Sequence, residues 1–203
     1  MSVDFINRIL KRQKMPRVIV SGNSSFGLAQ DIETVFPHAQ FCSRSTSGHD
    51  FTKHEDQMAF AQLTLDYDVY ISCSGLSQFG QVLLLEKVYT LWESKGKPGQ
   101  ILCMGCPLDQ KVAGTSWTYP VEKRALRDYC ANLNLAIKGR EASAIKVTYI
   151  NPGLVNSPQQ QEKYSDPIKT SSHHIAKMLK WIVEQPPECN VSEIRLNPLP
   201  VDS

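Results

Sequence analysis

The sequence predicts an α/β fold: a doubly wound parallel sheet with helices on both faces, in a single domain. Three observations carry the prediction. Short apolar runs rich in β-branched and aromatic residues alternate with longer segments of helical periodicity, the pattern of a parallel sheet with crossover helices. No Pro/Gly/Ser-rich linker divides the 203 residues, and that length suffices for one well-buried core. The first apolar run, Val18-Ile19-Val20, breaks at Ser21-Gly22 into a loop of small residues directly before a helical pattern (Leu28, Ala29, Ile32, Phe36), which reads as strand, tight turn, helix.

Residues 1–16 read as an N-terminal extension ahead of a domain over 17–203. Phe5, Ile6, Ile9 and Leu10 share one helical stripe, with Arg8, Lys11, Arg12 and Lys14 elsewhere. A packed helix or a frayed arm is the first expectation, and a membrane-surface helix the other. A second strand is expected at Ala39 to Cys42, a helix at Glu55 to Leu65 and a third or fourth strand at Asp68 to Ser72. An apolar helix over Gln81 to Trp92 precedes a buried strand at Gln100 to Met104. A long helix then runs from about Tyr119 to Ile137. Strand Lys146 to Ile150, an exposed loop over Glu162 to Thr170, helix His173 to Val183 and strand Val191 to Leu196 complete the chain.

Composition narrows the function classes. Lys and Arg number 22 against 20 Asp and Glu, interspersed, for a net charge of +2, so no basic stripe suggests a nucleic acid. No apolar run approaches the roughly 18 residues of a membrane span, and the N-terminus lacks the pattern of a secretory signal. A cytoplasmic protein is expected. Cys42, Cys73 and Cys103 lie in or beside strand runs and Cys130 in a helical pattern, which suits reduced thiols. Cys103 and Cys106 have C-x-x-C spacing, but without a second pair neither metal nor disulfide chemistry is favoured. His173-His174 reads as the polar start of a helix.

The stretch RVIVSGNSSFGLA, Arg17 to Ala29, carries the first chemical signal. Backbone N–H groups of a loop entering a helix lack internal partners, and the aligned peptide dipoles add partial positive charge. Together they form an anion site suited to a pyrophosphate. Glycine at 22 and 27 allows the turn and the close approach of helix to strand. About twenty residues past the first glycine, a dinucleotide fold places an acidic residue for a ribose 2′-hydroxyl or an arginine for a 2′-phosphate. The residue here is Arg44, which favours NADP(H) over NAD(H).

SGNSSFGLA, DFT (50–52), SCSG (72–75), YPVEK (119–123) and INPGLVNSP (150–158) stand in that order. This series resembles the short-chain dehydrogenase/reductase family over 17–199, and its most specific part is Tyr119-x-x-x-Lys123 followed by Asn151-Pro152-Gly153. The resemblance implies a Rossmann-type NAD(P)-binding domain and an oxidoreductase that reduces a small-molecule carbonyl or oxidises a secondary alcohol. A Tyr and a Lys four apart share one helical face, so the ammonium can lower the phenol's pKa and also bind the nicotinamide ribose. By resemblance Tyr119 is the proton donor or acceptor and Lys123 its partner. The loop Gly22, Asn23, Ser24, Ser25, Phe26, Gly27 is implied to hold the coenzyme, with Arg44 choosing it and Asp50 contacting adenine. Cys73, Ser74 and Gly75 would lie beside the adenine ribose, and Pro152, Gly153, Leu154, Val155 and Ser157 beside the nicotinamide carboxamide. A homodimer is implied too, packed through the helix after Tyr119 and the one before it.

Departures accompany the match. The glycine loop is one residue short, lacking the family's middle glycine. The catalytic serine's place, thirteen residues before Tyr119, is taken by Cys106, and a thiol is a weaker hydrogen-bond donor than a hydroxyl. Thr115 and Ser116 are hydroxyls near enough to stand in. The family's asparagine has no counterpart, Ser77 or Gln78 being nearest, and the connection after Gly75 is shortened. Trp117 would wall the substrate pocket or pack in the core. These departures keep a second reading open: a nucleotide-binding Rossmann protein with weakened catalysis, acting as a redox sensor or interaction module.

Overall fold

The computed structural model of the protein describes residues 15–25, 27–110, 114, 116–138, 145–156 and 169–198. The expected N-terminal extension lies outside the described residues apart from 15 and 16, and so do Phe26, Thr115, Ser157 and most of the loop expected over 162–170.

Strand β1 (Val18–Ser21) leads to helix α1 (Gly27–Val35) and strand β2 (Gln40–Cys42). Helix α2 (His54–Leu63) ends in a 3-10 turn, Thr64–Asp66, before β3 (Val69–Ser72) and α3 (Gly80–Ser94). Then come β4 (Gly99–Met104), a 3-10 turn at Pro107–Gln110, α4 (Tyr119–Lys138) and β5 (Ile145–Asn151). The short strands β6 (Val155–Asn156) and β7 (Thr170–Ser171), helix α5 (Ser172–Val183) and β8 (Glu193–Arg195) follow.

Six strands form one sheet in the order β2-β1-β3-β4-β5-β8, every pair parallel. The chain moves outward from β1 to β2, then returns to add β3 on the other side, so the order reverses between β1 and β3. In an open α/β sheet that reversal leaves a crevice at the carboxyl ends of the strands.

Alternation along the strands fills both faces. Ile19, Tyr70, Ile101, Cys103, Val147 and Tyr149 point to the side covered by α2, α3 and α4. Val18, Val20, Ile71, Leu102, Met104 and Ile150 point to the side covered by α1 and α5. A parallel sheet buried on both faces therefore reads as continuous apolar runs, as this sequence does. Each fully buried Ile or Leu contributes about 1.5–3 kcal/mol of burial. Two of the largest buried polar side chains find partners inside: the Tyr70 hydroxyl lies 3.1 Å from Ser21 Oγ, and Trp92 Nε1 donates to Thr64 Oγ1 at 2.8 Å.

The expected doubly wound parallel sheet in a single domain is the observed fold. The differences are local. The helix expected to reach Leu65 stops at Leu63, where Thr64 turns its hydroxyl back to the Ala61 carbonyl at 2.6 Å. The two-residue strands β6 and β7 pair with each other and are too short for any periodicity to announce them. Among the described residues no helix is long and apolar enough to cross a membrane, and no cluster of His, Cys, Asp or Glu could hold a metal ion.

Candidate functional site

A cleft of about 450 Å³ opens at the carboxyl ends of β1, β3, β4 and β5, at the reversal of strand order. Its floor is the turn from β1 into α1. The N–H of Gly22 donates to the Cys42 carbonyl at 2.9 Å and that of Cys73 to the Ser21 carbonyl at 3.1 Å, which keeps neighbouring strand ends level. The Asn23 side chain accepts from the Ser25 N–H at 2.9 Å and donates to Ser45 Oγ at 2.8 Å. Gly27 enters α1 with a φ of +53°, in the left-handed region that favours glycine. The first turn of α1 carries no acidic residue, so its partial positive charge stands unopposed.

On one side of the cleft, the chain after β2 makes a turn of hydroxyls. Ser43 Oγ lies 3.2 Å from Ser45 Oγ and 2.9 Å from Thr46 Oγ1. Arg44, mostly exposed, pairs with Asp50 at 2.9 Å. Hydrogen bonds from Arg44 and from Thr52 hold the Asp50 carboxyl well below the usual carboxylate range. Across the cleft, β3 ends in Cys73, Ser74 and Gly75. A Cβ on Gly75 would meet nothing within 4 Å, so its backbone borders open space. The Cys73 thiol is pushed up to about 11 by burial, against a downward pull from Lys123.

The far end of the cleft is made by α4. Tyr119 and Lys123 both line it, one turn apart, with the Lys123 ammonium 5.4 Å from the centre of the Tyr119 ring. Trp117 stacks on Tyr119, the ring centres 5.6 Å apart and the planes at 16°, while its own side chain is about half exposed. That exposure sets it outside the hydrophobic core. Lys123 is 5% exposed, and burial drives its pKa down. Its ammonium donates to Gln81 Oε1 at 2.6 Å and reaches the Met104 carbonyl at 3.5 Å.

Behind the cleft, a buried polar network fixes the segment after β4. Asp109 is fully buried and accepts from the Tyr149 hydroxyl at 2.9 Å, from Asn151 Nδ2 at 3.3 Å and from both terminal nitrogens of Arg195 at 3.1 Å. Burial and the nearby carboxylate push the Tyr149 phenol far above its usual range, so it stays a donor. Asn151 also donates to the Cys106 carbonyl at 3.2 Å. Gly105 passes so close to Tyr149 that a Cβ there would overlap the phenol ring.

Of the residues singled out in the sequence, Gly22, Asn23, Gly27, Cys73, Ser74, Gly75, Tyr119, Lys123, Pro152 and Val155 line this one cleft. Arg44 and Asp50 sit at its edge, bound to each other. Ser24, Ser25, Gly153 and Leu154 lie in the same loops beyond its lining, and Cys106 follows directly on Gly105, which lines it. Ser116 is exposed, and neither Ser77 nor Gln78 is the polar residue that meets Lys123. Gln81 does. A signal for it exists in the sequence: it stands in the buried stripe of α3 with Leu84, Leu85, Val88 and Trp92, where a polar side chain needs a partner. Asp109 and Arg195, which are distant in sequence, gave no comparable signal.

The fold and the position of the cleft define a Rossmann-type α/β protein. No protein-family model matches the chain and no curated protein matches it. Solved structures do match, and they share the short-chain dehydrogenase/reductase fold. ElxO with NADP bound is 14% identical with a TM-score of 0.69, over 89% of this chain and 96% of that one. A short-chain dehydrogenase from Burkholderia cenocepacia in complex with NADP is 13% identical with a TM-score of 0.67, over 90% and 88%. The 3-alpha-hydroxysteroid dehydrogenase from a Pseudomonas species, complexed with NADH, is 13% identical with a TM-score of 0.65, over 88% and 94%. The fold implied by the sequence motifs is thus the fold these structures share.

Proposed function

We propose that this chain is an NADP(H)-dependent oxidoreductase of the short-chain dehydrogenase type, reducing a small carbonyl compound or oxidising a secondary alcohol. One observation carries the reading: Tyr119 and Lys123 face the same cleft as the glycine turn into α1. That turn presents the start of α1, whose partial positive charge no acidic residue of the first turn opposes, to a pyrophosphate, and the open space at Gly75 leaves room for a ribose to lie against backbone. Arg44 and the hydroxyls of Ser43, Ser45 and Thr46 gather donors for a 2′-phosphate. The residues present therefore fit the dinucleotide. When bound it supplies or accepts the hydride. In the reducing direction the Tyr119 phenol gives its proton to the substrate oxygen while the Lys123 ammonium lowers the cost of the phenolate left behind. Solvent then returns the proton. Trp117, stacked on Tyr119, walls the substrate side. A homodimer through α3 and α4 would cover exposed Leu83, Val121 and Leu135.

The test is a titration of the purified protein with NADPH and with NADH, followed by nicotinamide fluorescence. Tight NADPH binding with weak NADH binding supports the reading, and binding of neither overturns it. The thiol of Cys106 in the serine's place favours a second reading, a cofactor-binding protein of weak turnover that reports redox state or engages a partner. Tight NADPH binding without turnover across a panel of carbonyl compounds would select it.

A further inference from the structure

Gln81 is the second residue of α3 and is 4% exposed. The chain enters that helix through Gln78 and Phe79, both left-handed at φ of 55° and 58°, a conformation unfavourable for non-glycine residues. The orientation of the Gln81 carboxamide follows from its neighbours. Its Nε2 lies 3.1 Å from the Met104 carbonyl oxygen, 3.2 Å from that of Ser72 and 3.1 Å from Ser72 Oγ. Both carbonyls can only accept, so the nitrogen faces them and Oε1 faces away. On that side stands the Lys123 ammonium, 2.6 Å from Oε1.

The geometry points to Gln81 as the positioning residue of Lys123: its carboxamide, held between the ends of β3 and β4, fixes the buried ammonium in place and favours its charged form. A lysine buried in apolar surroundings tends to lose its proton. A hydrogen bond from a charged donor to a fixed, polarised acceptor works against that loss. The direct contact takes up one N–H of the ammonium, and the Met104 carbonyl lies 3.5 Å from the same nitrogen. Glutamate would be a poorer fit in this place unless protonated, because a carboxylate would set oxygen against the Ser72 and Met104 carbonyls. Asparagine has the chemistry but is one methylene short.

The experiment is an NMR titration of Lys123 in the full chain, labelled at the lysine side chain, without any cofactor, and assigned with Lys123→Arg. Gln81→Met keeps the volume and removes the acceptor, so the Lys123 pKa is expected to fall by about one to two units. In Gln81→Glu, whether the new carboxyl is ionised or protonated, an oxygen still accepts from the ammonium, and the pKa stays at or above that of the unaltered protein. An unchanged pKa in Gln81→Met, or a fall in Gln81→Glu, would overturn the inference. Should Gln81→Met not fold, the Gln81→Glu arm decides alone.

The consequence for turnover rests on the proposed Tyr119 and Lys123 chemistry. With NADP+ and an alcohol substrate, the acid limb of kcat/KM should move to higher pH in Gln81→Met, since a less charged Lys123 supports the phenolate less well. Absence of coenzyme binding by the unaltered protein would sink the proposed function while leaving the Lys123 titration to judge Gln81.

Discussion

Arg195, on the edge strand β8, grips Asp109 with two parallel hydrogen bonds, each 3.1 Å, one to each carboxylate oxygen. Asp109 has no exposed surface and the arginine side chain little. The pair joins the edge of the sheet to the turn after β4, directly behind Cys106. Removing one partner of such a pair strands the other charge, at a cost of about 3–5 kcal/mol. Arg195→Met is therefore expected to lower the stability of the fold by about that much, as read by chemical denaturation. Arg195→Lys should recover only part of it, because an ammonium cannot span both oxygens. A loss under about 1 kcal/mol would mean the network contributes nothing beyond a surface ion pair.

Tyr119→Phe removes the phenol oxygen and keeps the ring that stacks on Trp117. Turnover is expected to fall by orders of magnitude with coenzyme affinity nearly intact. Joint loss of both in a folded variant would contradict the assigned role of Tyr119.

Arg44→Ala should weaken NADPH binding far more than NADH binding, measured by calorimetry on both coenzymes. Arg44 is engaged with Asp50, so a 2′-phosphate must share or displace that partner. Asp50→Asn accordingly is expected to leave NADPH binding unharmed or tighter. Equal losses for the two coenzymes in Arg44→Ala would remove the argument for NADP(H).

Cys106→Ser replaces a weak hydrogen-bond donor by a stronger one where the sequence resemblance expects a serine, and Asn151 still holds the backbone carbonyl there. A several-fold rise in kcat with little change in coenzyme affinity is expected. An unchanged rate would show that residue 106 does not polarise the substrate.

The thiol of Cys73 faces the cleft yet is pushed up to about 11. Only the thiolate reacts, so a raised pKa leaves less of it at neutral pH. Even allowing for the greater nucleophilicity of a more basic thiolate, alkylation at pH 8 should run about tenfold slower than for a free cysteine. The rate should climb steadily toward pH 11, followed by peptide mass spectrometry. Cys73 reacting first among the thiols at pH 7 would refute this.

Strands such as Val18–Ser21 were legible because both faces are covered, which makes every residue of the run small or apolar. Tyr119, Lys123 and the glycine turn were legible because their chemistry depends on spacing along one element. Gln81 is legible only as a polar residue in the buried stripe of α3. Its partner Lys123 is 42 residues away, and hydrogen bonds of that reach leave no local pattern. Asp109, an ordinary acidic residue in a polar stretch, becomes a buried anchor only once β5 and β8 lie beside each other.

The grip of Arg195 on Asp109 also sets an order of events for a chain emerging from a ribosome. The two residues are 86 positions apart, so β4, α4, β5 and α5 are all synthesised before the counter-charge for Asp109 exists. Until β8 docks on β5, that carboxylate sits under a sheet edge with only neutral donors from Tyr149 and Asn151. Docking of the last strand thus brings the counter-charge to the buried carboxylate, so the polar network behind the cleft is complete only once the final strand is in place.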